Sequence, residues 1–297
     1  MASLYTQEGK NVFRTWALMS IFFGIVILIG WGASLYLGDS SILYIAVAFA
    51  LFSNIGAYWF SDKVAIASTG AKPADEKQYL ELHRIVENLA ITAGLPKPRV
   101  YIIEDPAPNA FATGRDKNHA VIAVTTGLLG MMNKNELEGV IAHELSHVGN
   151  RDILVMTVAV VLVGFISVLA NIFLRMSYFG GDRRDKNAGP LIAIAVILAM
   201  ILAPIAAQLI QLAISRKREF LADADGALLT RYPEGLASAL QKLGAYNAPM
   251  QRASTTTAHL FISNPFGAHP AGAWLQNLFS THPPIPQRIA ALEGLNV

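Results

Sequence analysis

Residues 16–37, WALMSIFFGIVILIGWGASLYL, form a run of 22 residues without a charge. A helix with no polar face has no side to turn to water, and this one is long enough to cross a bilayer. After the link GDSS comes a second uncharged run, residues 42–60, closed by Tyr58, Trp59 and Phe60 as an interfacial aromatic set. A third covers residues 153–174 and a fourth residues 190–214. With a mean hydropathy of +0.41 and only 15% charged residues, the chain reads as a membrane protein whose first partner is the lipid bilayer. The first run is too long for the apolar part of a cleaved signal peptide, so it reads as a spanning helix that doubles as an uncleaved signal anchor.

The apolar runs divide the chain into a membrane hairpin (1–60), a charged, mixed segment (61–152), a second membrane pair (153–214) and a second polar segment (215–297). Lys10 and Arg14 ahead of the first run favour a cytoplasmic N-terminus, and the hairpin then returns residues 61–152 to the same side. The loop RMSYFGGDRRDKNAG at 175–189 conflicts with this, since four crossings put Arg175, Arg183, Arg184 and Lys186 outside. Asp182 and Asp185 partly neutralise it, and runs of 22 and 25 residues suffice to span, so full crossing is the expectation. Either way the two polar segments share one side of the membrane.

Within 61–152, a helix is expected over residues 75–93, with Leu80, Leu82, Ile85, Val86 and Leu89 near one side. It ends at Gly94 before Pro96 and Pro98. Strand-like runs follow in VYIIE from Val100, NAFATG from Asn109 and HAVIAV from His119. Next comes AHELSH, which contains H-E-x-x-H at His143, Glu144 and His147. On a helix, His143 and His147 sit at i and i+4 and project from one face, the spacing that two ligands of one Zn²⁺ require. A carboxylate beside them, Glu144, is placed to take the proton of a water acidified by the metal. The apolar flanks LEGVIA and VGN supply a buried helix, starting near residues 133–135 and giving way at Gly149 or Asn150.

A catalytic zinc of this type uses three protein ligands. With no cysteine in the chain, and with Asn150 and Ile153 where the metzincin continuation needs glycine and histidine, the third must come from elsewhere. Asp182 and Asp185 belong to the loop on the far side, while Asp152, Glu234 and Glu293 have no second acid at helical spacing. Glu219 and Asp223 are i and i+4, sharing a helix face with Ala222 and Gly226, small enough for close approach to the HExxH helix. Glu219 is therefore the expected ligand, and Asp223 the acceptor of a ring N–H from a ligating histidine. His83, His119, His259 and His269 read as ordinary polar histidines.

Taken together, HELSH at 143–147, NRD at 150–152, EFLAD at 219–223, the NAFATG stretch and HPPIPQRIAAL from His282 resemble peptidase family M48 over nearly the whole chain. The resemblance implies one zinc at His143, His147 and Glu219, Glu144 as general base, and an active site on the cytoplasmic face of the bacterial inner membrane. It also implies a role in proteolysis of misfolded or surplus membrane proteins. The fold class it implies is a mainly α membrane protein, with four transmembrane helices plus an α+β zincin-like domain carrying a small sheet. It further brings the segment of His282 and Arg288 near the active site, where the histidine would donate to a developing oxyanion and the arginine pair with Asp223.

An extended substrate is commonly held as an added strand on a sheet edge, and Asn109, Ala110, Phe111 and Ala112 of NAFATG are the candidate edge. Residues 245–280 read as a long irregular segment, followed by a final helix from Pro284 to about Leu292. A net charge of +2 gives no reason to expect a nucleic-acid partner, and the lack of G-x-x-x-x-G-K-[ST] gives none to expect an ATP site. The oligomeric state is left open by the sequence. A prenyl-directed CAAX protease is the alternative enzyme, and a non-catalytic membrane assembly factor or receptor would need a damaged HExxH or ExxxD, which this chain lacks.

Overall fold

The computed structural model describes residues 7–179, 216–252, 254, 257–267 and 283–295. The fourth apolar run, most of the 175–189 loop and His282 lie outside the described residues. Helix α1 (Glu8–Leu37) ends on Gly38, whose φ of +67° closes the cap onto the Ser34 carbonyl, and α2 (Ser41–Trp59) runs back along it. Both are long and apolar enough to cross a membrane. The third apolar run forms α7 (Asp152–Phe179), which packs along both. Leu18, Phe22 and Val26 of α1, Ala50 and Ala57 of α2, and Val155, Val158 and Leu162 of α7 make their shared core. Leu28, Trp31, Leu35, Ile45 and Phe52 stay exposed on the outside, as a lipid-facing surface requires.

Helix α1 starts eight residues before the apolar run because its first turns face protein rather than lipid: Asn11 is completely buried and Thr15 nearly so.

The polar segments fold together. Helix α3 (Ser61–Thr69) leads to β1 (Lys72–Pro73), α4 (Leu80–Thr92), β2 (Arg99–Ile103), β3 (Ala110–Thr113) and β4 (Val121–Thr125). The sheet order is β1-β2-β4-β3, with β2 and β4 parallel and the outer pairs antiparallel, so the NAFATG strand is an edge. The helix expected from residue 75 begins at Leu80. Asp75 forms a turn instead, its Oδ1 accepting from the Lys77 and Gln78 amides.

Helix α5 (Thr126–Met131) and α6 (Lys134–Gly149) follow the sheet. Asn133 and Glu136 form a reciprocal capping box that fixes where α6 starts. After the undescribed stretch come α8 (Arg216–Thr230), α9 (Pro233–Ala245) and α10 (Ile285–Glu293). Val140, Ile141, Leu145 and Val148 of α6 bury against α4, α8 and α9, making α6 the central helix of this core.

Two glycines allow the helices around α6 to come close. A Cβ on Gly139 would stand 2.7 Å from the Leu236 amide nitrogen of α9, and one on Gly226 of α8 would stand 3.0 Å from the His143 amide nitrogen. Helix α8 is thereby held against the turn of α6 that carries the first histidine. At its far end α6 breaks: Arg151 adopts φ +56°, and α7 leaves at 80° to α6. With α7 running alongside α1 and α2, α6 lies across the bundle rather than along it.

Candidate metal centre

His143 and His147 face outward from one side of α6 towards the first two turns of α8, and both are buried. Their Nε2 atoms are 3.2 Å apart. Glu219, in the first turn of α8, brings Oε2 to 3.8 Å from His143 Nε2 and Oε1 to 3.6 Å from His147 Nε2. These three side chains are the group of the described residues that can hold a metal ion.

The spacing can be checked against zinc. With Zn–N and Zn–O bonds near 2.0–2.1 Å, ligand atoms on a tetrahedron sit roughly 3.3 Å from one another. The two Nε2 atoms, 3.2 Å apart, have that separation, and the Glu219 carboxylate presents Oε1 to one of them and Oε2 to the other at 3.6 and 3.8 Å, within reach of an ion that the two imidazoles would share.

The protonation pattern points the same way. His143 Nδ1 lies 3.0 Å from Asp223 Oδ1, and His147 Nδ1 lies 3.1 Å from Asp152 Oδ2. An ionised carboxylate only accepts, so each Nδ1 carries the ring hydrogen and each Nε2 presents a lone pair. Two buried Nε2 atoms and a carboxylate facing one another need a positive charge among them, supplied by a proton on one imidazole or by a metal ion. Burial holds the His143 imidazolium down to about 4, with Arg288 and His147 adding to it. At His147 burial acts in the same direction, but Asp152 and Glu219 outweigh it and raise the group to about 9. The cluster thus takes one positive charge, and the donor set of two imidazoles and a carboxylate suits zinc.

Glu144 sits between the ligands in sequence and is 2% exposed. Burial pushes its carboxyl up to about 7, with Glu219 contributing in the same sense, while the Ala112 backbone N–H and the positive groups nearby oppose this. A carboxylate near neutrality is poised to take and return a proton.

Asp223 is clamped from α10. Arg288 Nε donates to its Oδ2 at 2.8 Å and Nη2 to its Oδ1 at 2.6 Å, a bidentate fork with no solvent exposure at the arginine. Although burial works against the Asp223 carboxylate, this guanidinium keeps its pKa below the usual range. The same arginine reaches Glu219 Oε2 at 3.7 Å and donates to the Ile262 carbonyl at 3.4 Å. Replacing Arg288 by Met should therefore cost about 3–5 kcal/mol of stability, because it leaves the buried Asp223 carboxylate without its counter-charge and with only the His143 ring N–H. Chemical denaturation of the zinc-loaded chain measures this, and a loss under 1 kcal/mol would show that the His143 N–H alone suffices for Asp223.

Sequence reasoning passed over Asp152, which has no second acid at helical spacing. It reaches His147 because the left-handed turn at Arg151 folds the start of α7 back over the end of α6, a geometry that helical periodicity cannot reveal. The signal available was NRD immediately after the motif.

The edge strand passes the site with only part of its edge bare. The Ala112 N–H faces Glu144, whereas the Ala110 carbonyl accepts from Ile262 N–H at 3.0 Å. Asn109 exchanges hydrogen bonds with Ser263, with Nδ2 donating to the Ser263 carbonyl and Oδ1 accepting from its amide. Phe111 packs edge-on against Phe261 in the core. Of the four residues expected to present an edge, Ala112 is the one beside Glu144, while the other three are engaged with residues 261–263.

A helix carrying two histidines one turn apart with a carboxylate base between them, completed by a glutamate from a second helix, is the ligand arrangement of a gluzincin-type metallopeptidase. The chain belongs to peptidase family M48, whose model matches residues 76–296. It is 48% identical over 302 residues to a protein described as protease HtpX homolog from Caldanaerobacter subterraneus subsp. tengcongensis, with 99% of each chain covered. A protein of the same description from Pyrococcus furiosus is 49% identical over 285 residues, covering 95% of each chain. Among solved structures, the crystal structure of S. mikatae Ste24p superposes with a TM-score of 0.52 at 18% identity, covering 96% of this chain and 66% of that one. At that identity the likeness is one of fold.

Proposed function

We propose that this M48 metallopeptidase is an integral-membrane zinc endopeptidase, acting on unfolded, misfolded or surplus membrane proteins; its likeness to relatives described as protease HtpX homologs supports the reading. The observation that carries the reading is the convergence of His143, His147 and Glu219 on one buried point, with Glu144 next to His143 in the chain. Zinc, when bound there, supplies a Lewis acid that polarises the scissile carbonyl and makes water acidic near neutral pH.

The residues of the chain do the rest. Glu144 takes the proton of the attacking water and returns it to the leaving amine, with no covalent intermediate. Asp223 and Asp152 hold the two imidazoles with Nε2 directed at the centre, and Arg288 keeps Asp223 ionised. An extended substrate pairs with the edge at Ala112, continuing the line that Ile262 already makes with Ala110. His282, outside the described residues, is proposed as a donor to the developing oxyanion.

Orientation follows from charge. The end of α1 that carries Lys10 and Arg14 is the end packed against the metal centre, through Asn11 and Asp152. Since basic residues at span ends favour the cytoplasm, this supports an active site at the cytoplasmic face of the bacterial inner membrane. The topology proposed is four crossings, α1, α2, α7 and residues 190–214, the last outside the described residues; it would keep both halves of the site on that side.

Cleavage of a denatured protein by the purified chain in detergent, alone and with a prenylated C-terminal peptide as competitor, tests the substrate class. Cleavage that chelator abolishes and that the prenylated peptide leaves unaffected is expected. Preferential cleavage of the prenylated peptide would instead assign a CAAX-type activity.

A further inference from the structure

The first turn of α1 ends inside the catalytic part of the molecule. Glu8 ion-pairs with Arg151 at 2.8 Å, at the break between α6 and α7, and with Lys117 at 3.1 Å. Three residues on, Asn11 is buried with zero exposure. Its Nδ2 donates to Asp152 Oδ1 at 2.7 Å and to the Asn150 carbonyl at 2.9 Å. Its Oδ1 faces Arg14 Nη1 at 3.1 Å and Arg218 Nη1 at 3.5 Å. Arginine only donates, so the amide orientation is fixed: oxygen towards the two guanidiniums, nitrogen towards the carboxylate.

Asp152 receives a second donor on the same Oδ1, Arg218 Nη1 at 3.0 Å, from the residue that precedes Glu219. Its other oxygen, Oδ2, holds His147 Nδ1 at 3.1 Å. An amide of the first membrane helix is therefore two hydrogen bonds away from a metal ligand. With Oδ1 held by two donors, the carboxylate plane cannot swing, and Oδ2 sets the tautomer and ring angle of His147.

We infer that Asn11 is a positioning residue for the metal centre, acting through Asp152 on His147, so that metal affinity depends on the N-terminal turn of the first membrane helix being docked. The inference rests on the reading of His143, His147 and Glu219 as zinc ligands. It explains why α1 continues for two turns beyond its apolar run: those turns are part of the site's support rather than of the anchor.

The test uses the full chain in detergent, with zinc affinity read by competition against a chelator of known strength and ligand geometry read from the visible spectrum of the Co²⁺-loaded chain. Asn11→Ala and the near-isosteric Asn11→Leu should each weaken zinc binding by up to about 10-fold, the low end of the range for losing the group that itself orients a metal-bound imidazole, because Asp152 stays in place with Arg218 on its Oδ1. Both should alter the Co²⁺ spectrum and lower kcat with KM unchanged. Asn54→Ala serves as the comparison, since it removes a hydrogen bond inside the membrane hairpin, Asn54 Nδ2 to the Met19 carbonyl at 3.1 Å, without touching the site; its zinc affinity should equal that of the wild type. Unchanged affinity and spectrum in both Asn11 variants would overturn the inference, and so would an equal loss in Asn54→Ala, which would mark a general effect of loosening the hairpin. A wild-type chain that binds no zinc would overturn the metal centre itself and this inference with it, a result distinguishable from a wild type that binds zinc and Asn11 variants that bind it equally well.

Discussion

Glu144→Gln should retain one zinc per chain and lose peptide hydrolysis by about 10²–10⁴-fold, the range that a positioned general acid–base contributes. The substitution keeps the size and burial of the side chain, and none of the three expected ligands is touched: His143, His147 and Glu219 keep their mutual spacing because α8 closes on α6 at Gly226. What changes is the proton. An amide neither takes one from water nor returns one to the leaving nitrogen, so the loss should fall on kcat with KM unchanged. Parallel assays of zinc content and cleavage rate measure both halves. Hydrolysis at the wild-type rate would move the base elsewhere, and loss of zinc would mean that Glu144 supports the metal rather than the chemistry.

Glu219→Ala should act in the opposite way, by emptying the site. It removes one of three expected ligands and leaves the two Nε2 atoms, 3.2 Å apart, without the carboxylate that faces both. It also leaves Arg288 with one fewer negative neighbour, although the bidentate pair with Asp223 remains. The loss in zinc affinity should exceed the roughly 10- to 100-fold that follows from disturbing a group behind a ligand, and hydrolysis should disappear with it. Because Asp223 and Arg288 still lock α8 to α10, the fold should persist, which circular dichroism checks beside the zinc titration. Unchanged zinc affinity would reassign the third ligand.

These two substitutions separate the parts of the site that differ in how visible they are from sequence. His143, Glu144 and His147 are legible because a helix places them by local periodicity alone. Glu219 and Asp223 are legible one step further out, since two acids at i and i+4 with small residues beside them describe a helix face built to approach another. Asp152 and Asn11 were not legible. Each acts across a break or a long sequence separation: the left-handed Arg151 turn brings Asp152 back over His147, and only the packing of α1 against α7 brings Asn11 to Asp152.

In the fold, the first three apolar runs and the strand segments are plain to read, because uncharged length and β-branched runs bounded by turn residues are local signals. Helix α9 was passed over, though Pro233 at its first turn and Leu236, Leu240 and Leu243 at helical spacing marked it. The extra turns of α1 were hidden by their polarity, which reads as a soluble lead when the partner surface is unknown. Coverage of the β3 edge by residues 261–263 lay in a stretch whose composition, rich in Ser, Thr, Asn and Pro, carries no periodicity to read.

The central claim is that one metal ion held by His143, His147 and Glu219 is required for the reaction. The most direct test strips the purified chain with chelator and follows cleavage of an unfolded protein as zinc is returned. Activity should be absent in the stripped chain, rise in proportion to zinc, and saturate at one equivalent per chain, with Glu144→Gln taking up the same equivalent and staying inactive. Cleavage that survives complete removal of zinc would contradict the account.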